Sequence, residues 1–102
     1  MEKIYSEAVS HYGDVHQILK AIEEMSELQK ELCKFLGAVQ DGTYINHPEL
    51  HNRARTMITE EMADVYVMLR QLKLIFNNEE TVETVISGKL ARLRGRMDRD
   101  GT

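Results

Sequence analysis

The chain has 102 residues, 42% of them hydrophobic and 29% charged, and a formal net charge of −4 at neutral pH. That length holds one domain, residues 1–102, and buries too little surface for a large core, which makes association with further copies a natural source of stability. The acidic balance argues against a general nucleic-acid binder, which needs concentrated positive charge.

Residues 2–12 read as a short helix, with Ile4, Ala8 and Val9 apolar and Gly13 as its stop. The opening run MEKIYSEAVS lacks the apolar stretch of a secretion signal, and no segment reaches the length of a membrane span. The expected location is the cytoplasm, with no membrane partner. Asp14 suits the N-cap of a second helix ending at Gly37, in which Val15, Ile18, Leu19, Ile22, Met25, Leu32 and Leu36 recur at helical spacing. Cys33, the single cysteine, excludes an internal disulfide, fits a reducing compartment and reads as a small packing residue. AVQDGTYINH has no sustained period and contains Asp41-Gly42, so a loop is expected there. Pro48 suits the first turn of a third helix running to about Asn77. After an Asn77-Asn78 turn, a fourth helix runs from Glu79 or Glu80 to Arg96, with Val82, Ile86, Leu90, Leu93 and Met97 along one side and a fraying end after Gly95. The fold class is all-α, because no segment alternates with period two.

Two acidic segments stand out, Glu23-Glu24-Met25-Ser26-Glu27 on the second helix and Glu60-Glu61-Met62-Ala63-Asp64 on the third. An acidic solvated face is one reading, with Lys20, Lys30 and Lys34 as ordinary ion-pair neighbours. Against it, Glu23, Glu27 and Glu31 are successive like charges four apart, a mildly destabilising pattern that a cation relieves. At about 100° per residue, Leu50, Ala54, Met57, Ile58, Val65, Met68, Leu69, Leu72, Ile75 and Phe76 form one stripe of the third helix. Glu61 falls near the middle of that stripe, Asp64 at its edge and Glu60 further out. Burying a bare charge costs several kcal/mol, so Glu61 needs either a salt bridge across the bundle or a metal.

Glu24 and Glu27, like Glu61 and Asp64, are three apart and project from one side of their helix. If the second and third helices pack antiparallel, these four carboxylates converge. An all-oxygen set without His or Cys selects a hard cation, Mg²⁺ or Mn²⁺. Lys89, Arg92 and Arg96 line one face of the fourth helix, with Arg94 and Arg99 nearby. They suit the outer oxygens of a triphosphate, or else complement the helix dipole as solvated charges.

In this order the motifs resemble the MazG-like all-α nucleoside triphosphate pyrophosphohydrolases. The family pattern E-E-x-x-E followed by E-x-x-D is matched by Glu23, Glu24 and Glu27 and then by Glu61 and Asp64. The approach Gly13-x-x-x-Gln17 and the late Lys89-x-x-Arg92 add to the likeness, which spans about residues 10 to 97. The stretch between Glu27 and Glu61 is longer than the family's usual spacing. The resemblance implies an enzyme converting an NTP or dNTP and water to the monophosphate and pyrophosphate with Mg²⁺, or Mn²⁺ in its place. It further implies Glu24, Glu27, Glu61 and Asp64 as metal ligands, Glu23 as their support, and Lys89 and Arg92 on the outer phosphates. Homo-oligomers, dimers or tetramers, would complete a four-helix-bundle core of long antiparallel helices.

Other residues carry weaker signals. His47 and His51 have a metal-ligand spacing, but Pro48 starts a helix between them and no third ligand is evident. His11 and His16 read as surface residues or as edges of a substrate site. Tyr44 and Tyr66 are packing residues or base-stacking ones. The methionines read as core filler, and no glycine-rich phosphate loop exists. Two rival readings are the related phosphoribosyl-ATP pyrophosphohydrolase and a non-catalytic helical dimerisation or regulatory module.

Overall fold

The computed structural model describes residues 2–101, and every element among them is helical. The order is α1 (Glu2–Tyr12), α2 (Asp14–Gln40), α3 (Thr43–Asn46), α4 (Pro48–Ile75) and α5 (Glu79–Asp100). None of these helices is long and apolar enough to cross a membrane. Gly13 takes φ 90°, which only glycine adopts without strain, and turns the chain sharply from α1 into α2. Asp14 therefore lies in the first turn rather than at the cap, where its charge suits the helix dipole.

α2 runs three residues past Gly37, to Gln40. The expected loop contains a helical turn of its own, α3. Gly42 opens it at φ 77°, and Asp41 accepts the Thr43 N–H at 2.9 Å and also the Thr43 hydroxyl. Pro48 occupies the first turn of α4, and Asn77 makes the next turn at φ 48°. α5 continues to Asp100 instead of fraying after Gly95, with Arg94 donating to Asp98 at 2.7 and 3.1 Å across one of its last turns.

α2 and α4 pair antiparallel: Gln17 near the start of α2 meets Gln71 near the end of α4, and Phe35 near the end of α2 meets His51 near the start of α4. α1 packs on both. The Arg70 guanidinium lies 4.9 Å from the Tyr5 ring centre and pairs with Glu2, fixing α1 to α4. The seam of α2 that faces α4 is Gln17, Ala21, Glu24, Leu28, Glu31 and Phe35, a 4-3-4-3-4 spacing of buried and half-buried positions. Only Ala21 and Met68 form a buried apolar core among the described residues, beside the buried amides of Gln17 and Gln71.

Of the apolar residues that recur along α2, Ile18 is half-buried, but Val15, Leu19, Ile22, Leu32 and Leu36 are each at least 43% exposed. On α4, Met68 is buried and Leu50, Ala54, Ile58, Val65, Leu72 and Ile75 are half-buried, but Met57, Leu69 and Phe76 are exposed. Cys33 is exposed as well, on the same outer side of α2, so it is not a packing residue within this chain. α5 touches α4 and no other helix. The radius of gyration is 17.8 Å, against about 13 Å for a compact chain of this length. The chain is an open arrangement of helices around a thin seam.

Candidate metal centre

Midway along the α2–α4 seam, one carboxyl oxygen from each of Glu24, Glu61 and Asp64 lies within 4.8 Å of the other two. The helical repeat explains the grouping. Glu24 is two seam positions beyond Gln17 on α2, while Asp64 and Glu61 stand one and two turns before Met68 on α4. Once Gln17 bonds Gln71, antiparallel pairing brings these three into register.

The side chain of Glu24 is only 12% exposed, and Lys20 reaches it at 3.2 Å from one turn earlier. Glu61 is half-buried, and its Oε2 is shielded from solvent without a hydrogen-bond partner among the described residues. Burial pushes the Glu61 carboxyl above the usual carboxylate range, and the charges of Glu24, Asp64, Glu27 and Glu31 push it the same way. The Asp64 carboxyl is also raised, first by the protein atoms crowding it and then by Glu24. Glu24 and the neighbouring Glu23 hold the Lys20 ammonium above its ordinary value.

The site is thus a cluster of carboxyl groups whose mutual repulsion the fold tolerates. The donor set is entirely oxygen, and one shielded oxygen lacks a partner. Both properties suit a hard divalent cation, which takes carboxylate and water oxygens.

The sequence-predicted residues divide by where the fold places them. Glu24, Glu61 and Asp64 come together. Glu27 is one turn beyond Glu24, exposed, and bears on Glu61 through its charge rather than by joining the close cluster. Glu23 points outward, 3.7 Å from Lys20 with its side chain 62% exposed. Lys89 and Arg92 stand exposed on α5, which packs against α4 alone among the described helices. His47 pairs with Glu49 at 3.5 Å, and His51 packs edge-on to Tyr44 and Phe35, so the two imidazoles do not share a site.

Two residues near the cluster were not expected there. Lys20 is its resident counter-charge, visible in the sequence only as an ordinary helix neighbour. Glu31 has a side chain only 12% exposed and faces the seam. Its place seven residues after Glu24, one heptad along the same seam, was the available signal. Comparison with protein-family models, curated proteins and solved structures finds no match to this chain.

Proposed function

We propose that the protein is a metal-dependent nucleoside triphosphate pyrophosphohydrolase, turning an NTP or dNTP and water into the monophosphate and pyrophosphate. One observation carries this reading: the unpartnered, shielded Glu61 oxygen lies in an all-oxygen cluster with Glu24 and Asp64. The ordered motifs support it, from Glu23-Glu24-x-x-Glu27 through Glu61-x-x-Asp64 to Lys89-x-x-Arg92. Glu24, Glu61 and Asp64 hold Mg²⁺, or Mn²⁺ in its place, and Glu27 and Glu23 strengthen the negative field around them. Bound there, the cation would supply Lewis acidity for the hydrolysis. The attacking water forms the new bond to the α-phosphorus, the bridge to the β-phosphate breaks, and pyrophosphate leaves with its electron pair while a proton is released.

The working unit in this proposal is a homo-oligomer. The exposed apolar side of α2 and the Ile86–Leu90–Leu93–Met97 stripe of α5, each residue at least 41% exposed, are surfaces that a second copy covers. Laid on that side of α2, a second α2–α4 pair completes a four-helix bundle. Lys89 and Arg92 then meet the phosphates from a neighbouring copy, which fits their exposure on α5.

The test is pyrophosphate release from a panel of NTPs and dNTPs with Mg²⁺, comparing wild type and Glu61→Gln. The expected result is metal-dependent release of monophosphate and pyrophosphate, reduced at least about 1,000-fold by the substitution. No release from any nucleotide, with Glu61→Gln folding as well as wild type, overturns the enzyme reading. The exposed apolar faces would then favour the helical interaction module.

A further inference from the structure

Beyond the acidic cluster, towards the α3 end, the groove between α2 and α4 opens into a cavity of about 290 Å³. Phe35 and Ala38 of α2, Tyr44 of α3, and Leu50, Ala54 and Met57 of α4 wall it. Glu31, Lys34 and Arg53 bring charged groups to it. Resting on the hydrolase reading above, we propose that this cavity seats the base of the nucleotide and selects a base with an exocyclic amino group.

Position is the first argument. Met57 lies one turn before Glu61 and Glu31 two turns beyond Glu24, so the near wall stands about 6 to 10 Å along the helices from the clustered carboxylates. A ribose bridges such a gap between an α-phosphate and its base. Room is the second: a cavity of about 290 Å³ is large enough to admit a heterocyclic base.

The walls have the right chemistry. The Phe35 and Tyr44 rings are 5.4 Å apart at 31°, and His51 braces both edge-on, at 5.6 Å from Phe35 and 5.2 Å from Tyr44. The Asp41–Gly42–Thr43 turn holds the backbone that presents Tyr44. A planar heterocycle stacks on such a wall, and Leu50, Ala54 and Met57 supply the apolar contact opposite. An aliphatic side chain from another copy is a poorer occupant, because it would strip water from Glu31, Lys34 and Arg53 and bond to none of them.

Selectivity follows from the polar groups. A glutamate carboxylate only accepts hydrogen bonds, whereas Lys and Arg only donate. The Glu31 carboxylate, mostly hidden and 3.7 Å from Lys34, fits an amino group on the base. Lys34 and Arg53 fit its carbonyl or ring-nitrogen acceptors. A base with a carbonyl where the amino group would stand leaves two acceptors facing each other.

CTP and UTP differ at the base by an amino group against a carbonyl, and kcat/KM for pyrophosphate release reads the choice. The expected ratio favours CTP by about 10-fold and collapses in Glu31→Gln, whose amide donates as well as accepts. Tyr44→Ala is expected to raise KM for both by roughly 10-fold with kcat retained. Equal kcat/KM for CTP and UTP in the wild type, or a ratio unmoved by Glu31→Gln, overturns the proposal. A titration with cytidine monophosphate, followed through the Ala54 and Met57 methyl resonances, separates the two readings. Movement of these methyls without pyrophosphate release from any nucleotide keeps the base pocket and sinks the hydrolase. Methyls that stay still while pyrophosphate is released sink the pocket and keep the hydrolase.

Discussion

The two sides of α2 invert the usual division between core and surface. The seam turned towards α4 carries Gln17, Glu24 and Glu31 at buried or half-buried positions, whereas the opposite side exposes Val15, Leu19 and Ile22. In an isolated globular chain the apolar side faces the core and the charged side faces water. Hidden carboxylates cost stability unless something neutralises them, and a bare apolar face costs solubility unless something covers it. In the proposed protein a cation answers the first cost and a second copy the second, so ligand and assembly both stabilise the fold.

Breaking the outer side tests the second half of that comparison and carries the largest effect. Ile22→Glu places a charge in the middle of the exposed stripe without touching the seam, since Ile22 is 56% exposed. In the proposed assembly the wild type is oligomeric by light scattering, and its melting temperature rises with protein concentration. The variant is expected to be monomeric, with a lower melting temperature that no longer depends on concentration. A wild type that stays monomeric at every concentration, with the variant equally stable, removes the second copy from the account.

The seam itself contains two kinds of polar group, treated in opposite ways. Gln17 donates to Gln71 at 2.8 Å, and Gln71 also reaches the Val67 carbonyl at 3.4 Å, so these buried amides have partners. Two to three turns along, Glu24, Glu61 and Asp64 repel one another and one oxygen is left over. The amide pair sets the register that brings the carboxylates together. Gln17→Leu leaves the Gln71 carbonyl oxygen buried without its donor, at an expected cost of about 1–3 kcal/mol, read by chemical denaturation at fixed protein concentration. Adding Gln71→Leu, which removes the orphan and extends the apolar core, is expected to recover most of the loss. Failure of the double variant to recover would mean that the amides stabilise by more than satisfying each other.

Much of this architecture was legible in the residues. Helix positions followed from periodicity, Pro48 and Gly13, and Glu61 stood out because a carboxylate interrupted an apolar stripe at the 100° repeat. Periodicity also placed Asp64 at the edge of that stripe, where it is exposed yet close to Glu24. What periodicity could not show is which of two faces on α2 meets α4. Counting apolar residues favours Val15, Leu19 and Ile22, but the pairing of Gln17 with Gln71 depends on a residue 54 positions away. α3 was hidden for another reason: its four residues are too few for a period, and the Asp41 side chain rather than hydrophobic patterning builds the turn. The outward course of α5 was equally invisible, since its apolar stripe reads the same whether its own chain or another covers it.

The smallest expected effect is the pH dependence of the cluster, and its sign separates the two kinds of polar seam. Glu61 and Asp64 have folded-state pKa values raised above their ordinary ones, so between those limits the native state binds more protons than the unfolded chain. Stability then falls as pH rises through that window, the reverse of a salt-bridged carboxylate. In metal-free buffer the wild type is expected to melt higher at about pH 5 than at about pH 8, by a few degrees, with part of the slope gone in Glu61→Gln. The neutral Gln17–Gln71 pair contributes nothing to this slope, and Gln17→Leu lowers both values alike. Adding Mg²⁺ at about 100 times its Kd is expected to raise the pH 8 value by roughly 10 °C and to act far less on Glu61→Gln, because cation binding and protonation answer the same repulsion. A wild type that melts higher at pH 8 than at pH 5 without metal would mean that Lys20 already neutralises the cluster, leaving no electrostatic demand for a cation.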